Sequence, residues 1–221
     1  EMIECLVGSE MCIRDSNYRG AAPVNWAIIN GEKESGVTTF FINEKIDTGD
    51  VFQNEKISIV DGQTAGELHD KLMLVGSKLL IKTINTIEKG NYKTIKQKKT
   101  ENQRVAPKLR RENTKIDWSK SAFSIRQLIL GLNPYPGAWT IINKEEKTYN
   151  FKIFNAKLSD QKVPEKNILI DDNKLFVGTK TNALELIEVQ MEGKKRMMVN
   201  EFLKGNKTVS YTHLRAHETL D

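Results

Sequence analysis

The sequence has only two cysteines, Cys5 and Cys12, and both fall within residues 1–16. No disulfide framework or cysteine-based metal site is supported, and a reducing compartment is the default expectation. Histidine is scarce as well: His69, His213 and His217 are the full set. The last two stand at an i, i+4 spacing that a metal on a helix would accept, yet no acid or third ligand accompanies them in a motif. No metal site is expected. Long apolar runs are missing too, since nothing approaches the roughly 18 residues a membrane-spanning helix needs. A soluble protein is expected. There is no internal repeat and no low-complexity tract.

What is present is basic charge, unevenly spread. The 221 residues carry a formal net charge of +5. Both ends are acidic, and setting aside residues 1–16 and 209–221 leaves 32 basic and 23 acidic residues, or +9. Between Lys89 and Arg126, twelve basic residues face three acids, Glu101, Glu112 and Asp117. A polyanionic partner is the natural reading of such a stretch, and a solvated face is the plainer one. The chain is long enough for two small domains, each with its own core.

The chain divides by pattern. Pro23 suits a first helical turn, and Val24 to Asn30 followed by Gly31 predicts a short helix with a glycine stop. Two β-branched and aromatic stretches, Gly36 to Asn43 and Val51 to Ile59, predict a hairpin-like pair joined by a polar connection. Thr64-Ala65-Gly66-Glu67 is a capping box, and Leu68, Leu72, Val75 and Leu79 mark one face of a helix running to about Lys89. Residues 91–116 are polar, basic and weakly periodic, which predicts a linker. A second helix, Ser119 to Leu132, ends at Asn133-Pro134-Tyr135-Pro136-Gly137. Five short strands follow (Ala138 to Ile142, Tyr149 to Ala156, Asn167 to Ile170, Leu175 to Thr179, Ala183 to Gln190), a rhythm that suggests a small barrel.

Three motifs stand in order in the first half: Arg19-Gly20-Ala21-Ala22-Pro23, Ser35-Gly36-Val37-Thr38-Thr39 and Ile46-Asp47-Thr48-Gly49-Asp50. In the second half come Ile116-Asp117-Trp118, Gly131 through Trp139 (GLNPYPGAW), Gln190 through Met197 (QMEGKKRM) and Glu201-Phe202-Leu203-Lys204-Gly205. In order and spacing, residues 17–208 resemble the methionyl-tRNA formyltransferases. Those enzymes move a formyl group from 10-formyltetrahydrofolate to the amino group of methionine on initiator tRNA. The resemblance implies an α/β plus β protein: a partial Rossmann-type formyltransferase domain followed by a small OB-like β-barrel domain. Its boundaries would be 17–95 for the C-terminal part of the catalytic domain, 96–112 for a basic linker and 113–208 for a tRNA-binding domain. Residues 1–16 and 209–221 do not continue the family's pattern and read as adapter-derived tails. A cytoplasmic monomer that binds folate and initiator methionyl-tRNA, without a membrane, is implied.

Formyl transfer needs a donor to a developing oxyanion, a group that moves a proton, and a carboxylate that orients it. The family draws the first two from an Asn-x-His-x-Ser stretch whose place here is taken by Met11 to Ser16, so this polypeptide is expected to be inactive. Asp47 matches the family's catalytic aspartate; without the flanking motifs it would read as a turn cap. Asp50 reads as a turn or framework carboxylate, and Arg19 either holds its loop or faces substrate. His69 reads as a framework residue on the long helix. Lys108, Arg110 and Arg111 are the candidate tRNA contacts, giving affinity with strong salt dependence. Trp118 and Trp139 suit either the core or base stacking, with the core expected for both. Another folate-dependent formyltransferase is the rival enzyme reading, and a noncatalytic tRNA-binding remnant the rival of a different class.

Overall fold

A computed structural model describes residues 7–10, 18–41, 50–90, 92–96, 104–144 and 147–205. The chain forms two compact units, residues 1–108 and 109–221.

In the first unit β1 (Val7–Glu10), β2 (Arg19–Gly20), α1 (Pro23–Ile29), β3 (Glu34–Phe41), β4 (Val51–Ser58), α2 (Ala65–Glu88) and β5 (Val105–Ala106) follow in order. β3 and β4 make the expected antiparallel pair, with Glu34 opposite Ser58 and Thr39 opposite Gln53. β1 lies antiparallel on the other side of β3, so residues 7–10, read from sequence as part of a tail, take a place on this sheet. α2 begins at the capping box: Thr64 Oγ1 accepts from the Glu67 N–H, and the Glu67 carboxylate accepts from the Thr64 N–H. Leu68, Leu72, Leu79 and Thr83 form its buried stripe, with Val75 only half-buried. Full burial of three leucines contributes on the order of 5–9 kcal/mol before entropy is counted. Thr39 on β3 and Thr83 on α2, both fully buried, share a hydroxyl–hydroxyl hydrogen bond of 3.0 Å.

Residues 91–116 are not a plain linker. Val105 and Ala106 form β5, which pairs in parallel with Arg19 and Gly20 of β2. Glu112–Thr114 make a single 3-10 turn in the second unit.

The second unit continues with α3 (Ala122–Gly131), β6 (Ala138–Lys144), β7 (Lys147–Ser159), β8 (Ile168–Asp171), β9 (Lys174–Gly178), β10 (Ala183–Met191), β11 (Met197–Met198) and α4 (Val199–Lys204). The sheet order is β6-β7-β10-β9-β8, with β11 added to β10. All five predicted strands are present, and β11 and α4 were not expected. Asp172 and Asn173, with φ of 44° and 58°, join β8 to β9 in the left-handed conformation a tight two-residue hairpin turn requires. Apolar residues at alternate positions of β6, β7, β9 and β10 enclose a core with Trp118, which is fully buried and donates its indole N–H to Thr140. Phe202 of α4 packs against Phe151 with ring centroids 5.3 Å apart. Among the described residues, no helix is long and apolar enough to cross a membrane.

Candidate functional site

Asp47 lies outside the described residues, in the 42–49 connection between β3 and β4. The frame that carries this connection is well defined. Phe41 donates its N–H to the Asp50 carbonyl at 3.1 Å, and Val51 exchanges two backbone hydrogen bonds of 2.8 Å with Ile95. Phe41, Phe52 and Tyr92 pack as a ring triad with centroids 5.2–5.8 Å apart. Thr94 donates to an Asp50 carboxylate oxygen at 3.5 Å, an exposed contact between the two sides of this frame. The segment after α2 therefore holds the base of the connection shut from one side.

The Arg19-Gly20 segment is fastened by the same returning chain. Ala21 donates its N–H to the Ala106 carbonyl at 2.8 Å, and Gly20 sits so close that a Cβ would overlap that oxygen. Its φ of +140° is in addition one that only glycine adopts at low cost, so the motif's glycine is required twice over. Next to it Tyr18, 1% exposed and at φ 65°, donates its hydroxyl to Glu32 at 2.6 Å and accepts from Asn30 and Arg104, each at 3.0 Å. Arg104 also reaches the same Glu32 oxygen. Burial, and then the bond to the Glu32 carboxylate, push the Tyr18 phenol above its ordinary value. Trp26 of α1 adds a bond from its indole N–H to the Pro107 carbonyl at 2.8 Å. None of Tyr18, Asn30, Glu32 or Arg104 was singled out from sequence. Their roles depend on contacts across as many as 86 positions, which no local pattern announces.

In the second unit the basic residues do not all lie idle. Arg110 and Arg111 are exposed, as is Lys108 at the end of the first unit. The Arg111 guanidinium stacks 4.2 Å above the Trp139 ring and donates to Asn150 Oδ1 at 2.7 Å. Lys115 lies 5.5 Å from the same ring, and the Trp139 indole donates back to the Arg111 carbonyl at 3.0 Å. Trp139 is thus half-buried on the outer face rather than in the core, because strand alternation puts Ala138 and Thr140 inside and turns residue 139 outward. Trp118 does take the core position expected for it. Glu192 closes this cluster, accepting from the Asn150 N–H and side-chain amide, which together hold its carboxyl below the ordinary range.

His69 is exposed on α2 beside Asp70, at 3.3 Å, away from the Asp50 frame in sequence and without a catalytic partner among the described residues. His213 and His217 lie outside the described residues.

Comparison with known proteins gives these geometries a family. Residues 16–84 match the family described as formyl transferase, and residues 108–207 match the formyl transferase C-terminal domain. A methionyl-tRNA formyltransferase from Azobacteroides pseudotrichonymphae is 48% identical over 199 residues, covering 86% of this chain and 61% of the relative. One from Flavobacterium johnsoniae is 47% identical over 191 residues with the same two coverages. The chain thus spans about three-fifths of the length of these relatives. Among solved structures, HypX from Aquifex aeolicus in complex with tetrahydrofolic acid superimposes with a TM-score of 0.69 at 19% identity, covering 97% of this chain and 38% of that one. A sugar 3N-formyl transferase, WlaRD, gives 0.64 at 23% identity, with coverages of 86% and 66%. Those two likenesses speak to the fold alone. With both of its units matched by sequence, the second in nearly all its length, the chain belongs to the formyl transferase family.

Proposed function

We propose that this chain belongs to an enzyme that transfers a formyl group from 10-formyltetrahydrofolate to the amino group of initiator methionyl-tRNA, in the cytoplasm, as a monomer, and that these 221 residues by themselves, with Met11 to Ser16 in place of the Asn-x-His-x-Ser stretch, are inactive. The observation that carries the reading is the 48% identity to a methionyl-tRNA formyltransferase across both units, together with the basic stretch from Lys89 to Arg126. In the reaction the methionyl amine attacks the formyl carbon, the carbonyl electrons move onto oxygen, and the folate nitrogen leaves with a proton. Asp47, on the connection braced by Phe41, Asp50 and Ile95, is assigned the carboxylate that orients the proton-moving group. The described sheet and the returning β5 are read as the later part of a Rossmann-type domain, and the β6–β10 sheet as an OB-like barrel that binds tRNA. Lys108, Arg110 and Arg111 supply phosphate contacts, and the stacking of Arg111 on Trp139 supports a cation already oriented before RNA arrives.

Two experiments test this. Charge reversal at Lys108, Arg110 and Arg111 is expected to weaken initiator tRNA binding and to lower the slope of log K against log salt by about two to three. Unchanged affinity and slope would remove the tRNA role. Fusing the part of the Azobacteroides relative not covered here ahead of Tyr18 is expected to give formylation. Asp47→Asn in that fusion should then cost about a hundredfold or more in rate. A fully active Asp47→Asn fusion would remove the assignment.

A further inference from the structure

The Asn133–Gly137 loop between α3 and β6 is held by hydrogen bonds at three of its five residues. Asn133, 7% exposed, donates its side-chain amide to the Phe154 carbonyl at 2.8 Å and accepts from Arg196 at 3.3 Å. Arg196 is itself fixed by a two-pronged bond to Glu188 and by stacking 4.2 Å over the Phe154 ring. The Gly137 N–H donates to the Leu132 carbonyl at 2.9 Å, and Lys152 donates its ammonium to the Pro136 carbonyl at 2.9 Å. Pro134 and Pro136 fix two further backbone angles. At the tip of this braced loop Tyr135 is 81% exposed, the most exposed of the large apolar or aromatic side chains described. The ring is exposed while the backbone beneath it is braced, so a ligand that stacks on it need not order the loop as well.

Its surroundings say what it would meet. Lys152, which grips Pro136, lies directly opposite Trp139 in the β6–β7 register. Trp139 in turn lies under Arg111 and near Lys115. Tyr135 thus adjoins the residue that Lys152 grips, Lys152 is the cross-strand partner of Trp139, and Arg111 stacks on Trp139, so cations and aromatic rings follow one another from the loop to the strand pair. Two of the acids nearby are engaged, Glu188 by Arg196 and Glu192 by Asn150. Alternating cations and rings suit a backbone of phosphates whose bases offer π-faces.

We propose that Tyr135 is a stacking platform for an unpaired nucleobase of the RNA, with Lys152 and Arg111 on the flanking phosphates. This rests on the tRNA reading above and goes beyond it in naming a contact to a base. An unpaired base is required because a base inside a duplex has both faces covered by its neighbours. The tyrosine gives affinity without charge, so its loss is separable from that of a cation.

The test is binding of the 221-residue chain to initiator tRNA, to a short unstructured RNA and to a blunt RNA duplex, across a salt series. Tyr135→Ala should weaken the first two by about 5- to 100-fold, leave the duplex alone and leave the salt slope unchanged. Tyr135→Phe should bind as the parent does. Because Tyr135 is exposed, both variants should melt with the parent. If Tyr135→Ala binds tRNA unchanged while Arg111→Glu weakens it, the platform is overturned and the tRNA reading stands. If the parent binds none of the three RNAs, both are overturned. Equal loss in Tyr135→Phe and Tyr135→Ala would overturn stacking in favour of the hydroxyl.

Discussion

The hydroxyl pair that joins β3 to α2 makes an asymmetric prediction. Thr39 Oγ1 lies 3.3 Å from the Gln53 carbonyl and 3.0 Å from Thr83 Oγ1, and both threonines are fully buried. A hydroxyl has one proton, so the consistent arrangement has Thr39 donating to Gln53 and Thr83 donating to Thr39. Thr83→Val then removes one bond but leaves Thr39 satisfied, at a cost of about 0.5–1 kcal/mol. Thr39→Val is worse, because the Thr83 hydroxyl is left buried without its acceptor, at about 1–3 kcal/mol. Rotation of Thr83 toward the carbonyl one turn back on α2 would bring the cost to the low end. With both changed, two branched apolar side chains meet and no polar group is stranded, so the double variant should be destabilised by about 1–2 kcal/mol less than the sum of the singles. Hydrogen exchange of α2 peptides, read as opening free energies, measures all four corners. Costs that add to within about 0.5 kcal/mol, or a Thr83→Val cost larger than that of Thr39→Val, would refute the assigned direction of donation.

Three further expectations concern the same scaffold. The Tyr18 phenol is raised above its ordinary 10.0, so the folded state keeps the proton where the unfolded chain has lost it; its contribution is whole below that pH and fades as pH climbs through the folded value. Tyr18→Phe should therefore flatten the alkaline limb of a melting-temperature profile, and an unaltered limb would contradict the assignment. Asp117 is held below its ordinary 3.8 chiefly by the Ser119 hydroxyl, so its contribution is present above that value and lost as pH falls through the folded one. Ser119→Ala should move the acid unfolding midpoint of the second unit upward, and no movement would sink the idea. Gly20→Ala, at φ +140° against the Ala106 carbonyl, should cost clearly more than the roughly 1–2 kcal/mol expected at Gly90, where φ is +67° and nothing lies near. Equal losses in denaturant midpoints would show that the close approach carries no energy.

Much of this architecture was legible in the residues. The capping box at Thr64 and the apolar spacing of Leu68, Leu72 and Leu79 are local signals, and local forces carry them out unchanged. The hairpin of β3 and β4 and the strands of the second unit were legible for a similar reason: period-two patterning survives wherever one face is buried. β2 and β5 were not, since two-residue strands have no period and exist only because distant chain segments meet. α4, six residues long, is stabilised by Phe202 against Phe151 and not by propensity. Trp139 was misplaced because composition favours tryptophan in a core, whereas register turns it outward to meet Arg111. The motifs named the candidate site, but its support, from Tyr18 and Glu32 to Arg104, is a tertiary network.

That network joins positions 86 apart, and its consequence is one of folding order. β2 and β5 are parallel, so bringing them together closes a loop that contains α1, the hairpin and α2, and two residue pairs repay little of that entropy. The intervening elements have to be in place first, which makes the fastening the final step of assembly in this unit and absent from its transition state. Weakening it by Gly20→Ala should then steepen the rate of unfolding while the refolding limb of a chevron stays where it was. A slower refolding limb would place the fastening early instead. On this ordering, the segment that pins Arg19 and Gly20 is committed only once the elements between them in the chain have formed.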